Sequence, residues 1–137
     1  MGETVFIDGN IFLEIFLRDK KAEECAFFLK SLQGKNIAAL TSDFIVYSSL
    51  LVIQSKIRDQ KLMKMKNALR FFNSYSNLLI MRPSFDDIYD AIEFMESSKL
   101  DFYDSLVVVC MKKHDVSKLV SLDKHFDKIR EIKRIKP

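Results

Sequence analysis

Four aspartates stand where side chains could act together: Asp8, Asp101, Asp104 and Asp123. Asp8 directly follows the apolar run Val5-Phe6-Ile7, and Asp123 follows Leu119-Val120-Ser121-Leu122. If both runs are strands of an open α/β sheet, both acids reach the same edge, because ligands bind beyond the carboxyl ends of such strands. Asp101 and Asp104 open a segment whose Leu106, Val107, Cys110 and Met111 recur at helical spacing. Asp104 stands where this apolar helix enters a core. A lone carboxylate there is costly unless it is hydrogen-bonded or set on a cation. Converging Asp8, Asp104 and Asp123 would suit Mg²⁺, which takes one or two carboxylates plus waters and a substrate phosphate. A cation so held activates water and neutralises phosphate charge. For Asp101 a second explanation stands beside a metal role, since an acid in a first turn complements the helix dipole.

The elements that must position these acids follow from periodicity. Val5-Phe6-Ile7 predicts a buried strand, and Ile11, Phe12, Ile15 and Phe16 a helix after it. Lys21 to Gln33 repeats the helical pattern, with Gly34 placed as a C-cap glycine. Ile37 to Leu40 predicts a second strand. Thr41-Ser42-Asp43 offers N-cap chemistry to a helix running to about Arg58. Another helix covers roughly Lys61 to Ser74, and Leu78 to Met81 a third strand stopped by Pro83. Ser84 and Asp87 form a variant capping box for a helix to about Ser97. Helix Asp101 to His114, strand Lys118 to Ser121 and a fifth strand near Glu131 to Ile135 complete the chain. Strands alternating with helices predict a parallel sheet with crossover helices.

Composition narrows the class. The chain of 137 residues fits one domain, residues 1–137, and its 48% hydrophobic and 30% charged residues suit a globular protein. Three Gly and two Pro favour helices over a turn-rich all-β fold. Twelve Phe and no Trp predict a dry aromatic core. Cys25 and Cys110 lie in apolar helical patterns and are expected to be buried thiols, so a reducing cytoplasm is the default. The opening residues carry no basic region followed by a long apolar stretch, and no run spans a membrane, so neither a signal peptide nor a membrane anchor is expected. The net charge of +3 is compatible with nucleic acid. Lys56, Arg58, Lys61, Lys64, Lys66 and Arg70 crowd residues 54–70, a pattern that solvated helix faces also give.

The residues then call up a family. Val-Phe-Ile-Asp8-Gly-Asn10 resembles the opening of PIN domains, where a strand ends in Asp followed closely by a small polar residue and often Asn. Phe102-Tyr103-Asp104-Ser105-Leu106 resembles the family's Asp-Ala segment at a late helix start. Leu119 to Phe126, with Ser121-Leu122-Asp123, resembles the family's strand followed by Thr-x-Asp-x-x-Phe. In size the chain is similar to toxin-type (VapC-like) members of toxin–antitoxin pairs. The resemblance implies a three-layer α/β/α fold with a small four- to five-stranded parallel sheet and a helical hairpin at about 43–74. It implies a Mg²⁺- or Mn²⁺-dependent ribonuclease, an antitoxin partner and a homodimer. It implies Asp8, Asp104 and Asp123 as the acidic site, with Asn10 and Ser121 as polar supports.

One position departs from the pattern. Such toxins carry a Glu several residues after Thr-Ser, and here position 48 is Ser48. Asp43 lies about 140° away around the helix and is assigned as a cap. Asp101 is the better substitute, because it shares a helix face with Asp104; Asp127 is a third candidate. Three outcomes stay open: a weakened metal site, one rebuilt with Asp101, or an inactive one. An active enzyme would use Lys61, Lys64, Lys66 and Arg70 to track the RNA backbone. An inactive one would be a PIN-fold module binding RNA or protein. His114 and His125 lack zinc-spaced partners, and His125 is assigned to the surface. Met63 and Met65 are core or partner surface; Phe12, Phe16, Phe71 and Phe72 are core or a dimer seam.

Overall fold

Val5, Phe6 and Ile7 are all buried, so their strand is covered on both faces, as the central strand of a parallel sheet must be. The computed structural model describes residues 3–137; Met1 and Gly2 lie outside the described residues. The chain runs β1 (Thr4–Ile7), α1 (Gly9–Leu17), α2 (Ala22–Gly34), β2 (Ala38–Ser42), α3 (Asp43–Lys56), α4 (Lys61–Ser74), β3 (Leu78–Met81), α5 (Phe85–Ser98), α6 (Phe102–Lys113), β4 (Lys118–Val120), a 3-10 turn (Lys124–Lys128) and β5 (Lys133–Ile135). The sheet order is β3-β2-β1-β4-β5, and every pairing is parallel. Helices cover both faces, giving three α/β/α layers with five strands in the middle. Among the described residues, no helix is long and apolar enough to cross a membrane.

That order has a consequence for the acids. The chain winds outward from β1 to β2 and β3, then returns through α5 and α6 to place β4 on the other side of β1. The direction of winding therefore reverses between β1 and β4, where open α/β sheets leave a crevice. Register pairs Ile7 with Val120, so the residues that follow, Asp8 and Ser121, leave the sheet side by side. The Asp8 amide still donates to the Val120 carbonyl at 3.0 Å.

α6 enters the core beneath this crevice. Leu106, Val107, Val108, Cys110 and Met111 are buried, and Cys25 and Cys110 are buried free thiols. Phe12, Phe16, Phe71 and Phe72 form one internal cluster tying α1 to α4, with centroids 4.7 to 6.4 Å apart. Phe12 and Phe72 are buried in the core, and Phe16 and Phe71 are half-buried against it. Met63 is exposed and Met65 half-buried.

Three caps differ from expectation. Gly34 is still helical, and the left-handed turn falls at Asn36, φ 56°. Ser42 holds the N-cap position of α3 but makes no cap hydrogen bond, and its buried hydroxyl has no partner. The neighbouring Thr41 hydroxyl donates to the Ile7 carbonyl at 3.1 Å, joining β2 to the end of β1. Asp43 is the first helical residue and faces Arg82 at 3.6 Å. The Ser84–Asp87 capping box forms, and Asp87 also takes the Lys113 ammonium at 2.7 Å, pinning α5 to α6.

Asp101 caps α6, its Oδ1 accepting the Asp104 amide at 2.8 Å. Loss of such a cap typically costs about 1 kcal/mol. Asp101→Ala should therefore lower unfolding stability by about 1 kcal/mol, whereas Asp101→Asn, which still caps, should stay within a few tenths. Urea midpoints measure both; equal midpoints for the two variants would remove the cap from the account of how Asp104 is positioned.

Candidate metal centre

Asp8 is 3% exposed, and both its oxygens face donors. Oδ1 accepts the Gly9 amide at 2.7 Å, which caps α1. Oδ2 accepts the Ser121 hydroxyl at 2.7 Å and the Asn10 side-chain amide at 3.3 Å. Asn10 returns to the β4 side, its Oδ1 accepting the Leu122 amide at 3.2 Å. The Ser121 oxygen also accepts the Asp123 amide at 3.0 Å. Asn10 and Ser121 thus knit the end of β1 to the loop after β4.

β5 holds that loop from outside. Arg134 forms a two-pronged pair with Asp127, 2.7 and 3.1 Å, and donates to the Ser121 carbonyl at 3.1 Å. The paired guanidinium keeps the Asp127 carboxyl below its usual range. Asp127 is thereby committed to Arg134 and stands apart from the cluster of metal donors.

Asp104, 7% exposed, comes from the first turn of α6. Asp123 caps the 3-10 turn by accepting the His125 amide at 2.9 Å. The His125 ring folds back, placing Nδ1 3.0 Å from Asp123 and 3.8 Å from Asp104. One donor atom each from Asp104, Asp123 and His125 lies within 4.8 Å of the others. Sequence reasoning put His125 on the surface. It is indeed solvent-exposed, yet it belongs to this cluster, and the signal was its place two residues after Asp123 in a tight turn.

The electrostatics follow from burial first and from crowding second. Burial pushes the Asp8 carboxyl up to about 6, against the Ser121 and Gly9 hydrogen bonds, with Asp123 and Asp101 adding to the rise. Burial, then the charges of Asp101, Asp8 and Asp123, push Asp104 up to about 7; His125 opposes this. Asp101 is exposed and uses one oxygen as a cap, so it acts on its neighbours through its charge. This donor set fits a divalent cation. Its acids are oxygen donors held close together against their own repulsion, and one imidazole nitrogen borders them.

The other expected residues lie elsewhere. Ser48 is half-buried on α3, its hydroxyl donating to the Ile45 carbonyl at 3.1 Å and standing beside the Tyr103 hydroxyl. Lys64, Lys66 and Arg70 are exposed on α4 and Lys61 is half-buried. Among the described residues, no hydrogen bond or ion pair joins these four to the carboxylates. A groove of about 530 Å³ between α2 and α4, bordered by Phe27, Leu29, Phe71 and Tyr75, is lined by none of the clustered acids.

Comparison with solved structures finds the same fold repeatedly. VapC20 from Mycobacterium tuberculosis, a toxin cleaving the sarcin–ricin loop, superposes with a TM-score of 0.77 at 14% identity, over 97% of this chain and 99% of that one. VapBC2 from Rickettsia felis, bound to a promoter DNA fragment, gives 0.72 at 17% identity, over 97% and 98%. A toxin–antitoxin complex from Klebsiella pneumoniae gives 0.68 at 15% identity, over 94% and 95%. A sequence comparison with curated proteins gives no match. The PIN domain family model matches residues 5–132, which takes in β1, the acids after it, α6 and the loop after β4, and so the chain belongs to the PIN domain family.

Proposed function

We propose that this PIN domain is a Mg²⁺- or Mn²⁺-dependent endoribonuclease acting in the cytoplasm as the toxin of a toxin–antitoxin pair. The observation that carries this is the donor cluster at the switch point between β1 and β4. Asp104 and Asp123 would hold the cation, with His125 at its rim and Asp8 behind. When bound, the cation supplies an activated water and charge neutralisation for a phosphodiester. Asp8, fixed by Ser121, Gly9 and Asn10, would border the cation from the buried side and could accept a proton there. Asp101 adds charge without leaving its cap. His125, exposed at the mouth, faces the incoming phosphate. Lys61, Lys64, Lys66 and Arg70 on the α3–α4 hairpin guide the RNA backbone, which makes binding salt-sensitive.

The rival reading is a PIN module that binds RNA or protein without cutting. The neutral Ser48 on α3 favours it. The deciding experiment is cleavage of a mixed single-stranded RNA pool with Mn²⁺, beside Asp104→Asn and Ser48→Glu. We expect cleavage by the wild type, a loss of at least a hundredfold in Asp104→Asn, and tighter Mn²⁺ binding in Ser48→Glu. No cleavage by folded, partner-free wild type selects the binding module.

Proton competition gives a second test. Folded Asp8 and Asp104 titrate near 6 and 7, above the ordinary 3.8. The folded state therefore binds protons more tightly than the unfolded chain, and metal-free stability falls as pH rises from about 4 to 7. Saturating Mn²⁺ should raise Tm by more at pH 8 than at pH 5.5. Metal-free Asp104→Asn should melt above wild type at pH 8, by about 5 °C, and lose the Mn²⁺ gain. A metal-free Tm that climbs from pH 5 to 8 would contradict the raised Asp8 and Asp104 carboxyls.

An antitoxin partner is supported by solved neighbours that are toxin–antitoxin complexes. A homodimer is supported by Phe85, Tyr89 and Ile92, which lie one and two turns apart on α5 and are 90%, 63% and 55% exposed. Phe85→Lys with Tyr89→Lys should convert a dimer to a monomer in sedimentation without lowering Tm. A wild type that sediments as a monomer at high micromolar concentration removes the dimer.

A further inference from the structure

Gly9 needs a reason. It is the first residue of α1, and its φ is not positive, so the backbone there suits any residue. The space around it supplies the reason. A Cβ at Gly9 would stand 2.5 Å from the Tyr103 hydroxyl oxygen, with Ile45 Cγ2 at 3.6 Å and Tyr103 Cζ at 3.7 Å. The hydroxyl occupies the volume a side chain would take. The ring behind it is held edge-on by Phe44, centroids 5.5 Å apart at 86°. The Ser48 side chain and the Gly9 amide border the hydroxyl, with Asp8 and Asp104 as nearby charges, while the Ser48 hydroxyl itself donates to the Ile45 carbonyl at 3.1 Å. That same Gly9 amide donates to Asp8 Oδ1.

The first turn of α6 thus delivers two consecutive side chains to the centre. Asp104 enters the donor cluster, and Tyr103 reaches across to α1 and α3. We propose that Tyr103 is a positioning residue of the centre: its hydroxyl, seated in the space left by Gly9 and bordered by Ser48, locks the first turn of α1 and the Asp8 carboxylate in place. The geometry stands without a cation; the effect on metal affinity rests on the function proposed above. Ser48 then has a role that needs no charge, since it borders the hydroxyl that occupies the space beside Asp8.

Tyr103→Phe keeps the ring against Phe44 and removes only the hydroxyl. In metal-free protein it should lower hydrogen-exchange protection of the Gly9 amide about tenfold, with Tm within about 3 °C of wild type. Supporting groups around metal ligands are typically worth 10–100-fold in affinity, and Mn²⁺ binding by calorimetry should weaken about tenfold. Gly9→Ala attacks the same contact from the other side. The hydroxyl is the tip of a side chain, so the ring should swing away, and Mn²⁺ affinity should fall as in Tyr103→Phe. In Gly9→Ala with Tyr103→Phe the methyl fills the vacated volume. Tm should recover, while Mn²⁺ affinity stays about tenfold low rather than a hundredfold, because both changes remove one hydroxyl.

A Tyr103→Phe protein with wild-type Gly9 protection overturns the proposal, whether or not the metal binds. So does a double variant that regains wild-type Mn²⁺ affinity, since packing alone then accounts for Tyr103. A wild type that binds no Mn²⁺ removes the metal function instead, and the Gly9 amide alone decides the role of Tyr103.

Discussion

A buried carboxylate at the end of a central strand must be satisfied from several directions, and Asp8 sets that demand for this molecule. Its oxygens take one backbone N–H from α1 and two side-chain donors, Ser121 from beyond β4 and Asn10 from α1. Each donor is in turn fixed. Ser121 is gripped through its carbonyl by Arg134 of β5. Asn10 is fixed by the Leu122 amide. The sheet order, with β1 between β2 and β4, brings these groups together. An uncompensated carboxylate in that place would cost several kcal/mol, and the surrounding loops are shaped by the need to avoid it.

The compensation is incomplete. Burial first, and then the charges of the neighbouring aspartates, push Asp8 up to about 6 and Asp104 up to about 7. A structure selected only for stability would replace Asp104 with an apolar residue, since Ser105 to Val108 just behind it are all buried. Retaining repulsive charge at a switch point is the pattern of a site that trades stability for function. The bidentate Arg134–Asp127 pair stands beside the crevice without entering it, so the crevice keeps its net negative charge.

The fold was legible because its signals are local. Short apolar runs alternate with helical periods, and the acids at their ends, Asp8, Asp104 and Asp123, are visible as breaks in apolar patterns. The support by Asn10 and Ser121 was visible through family resemblance rather than through spacing. What escaped depends on distant pairs. Asp43 looked like a cap until Arg82 was brought beside it. Asp127 stood as a third candidate for the missing acid until β5 supplied Arg134. Ser42 looked like a cap, but it leaves the sheet extended and caps nothing. Gly34 looked like a helix stop, yet Asn36 takes the left-handed turn, since its short polar side chain tolerates that conformation. Gly9 carried no sign that its missing Cβ makes room for a tyrosine on another helix.

Ser48 is where charge and packing meet. A carboxylate on α3 would add a further negative charge to a crevice where Asp104 is already pushed to about 7. The acids already there must be held still while the crevice stands open to solvent at His125. On the proposal made above, the neutral Tyr103 hydroxyl, bordered by Ser48 and seated against Gly9, steadies the first turn of α1 without adding repulsion. With Ser48 in place of a carboxylate, α3 brings a neutral hydroxyl rather than charge to the residues behind Asp8.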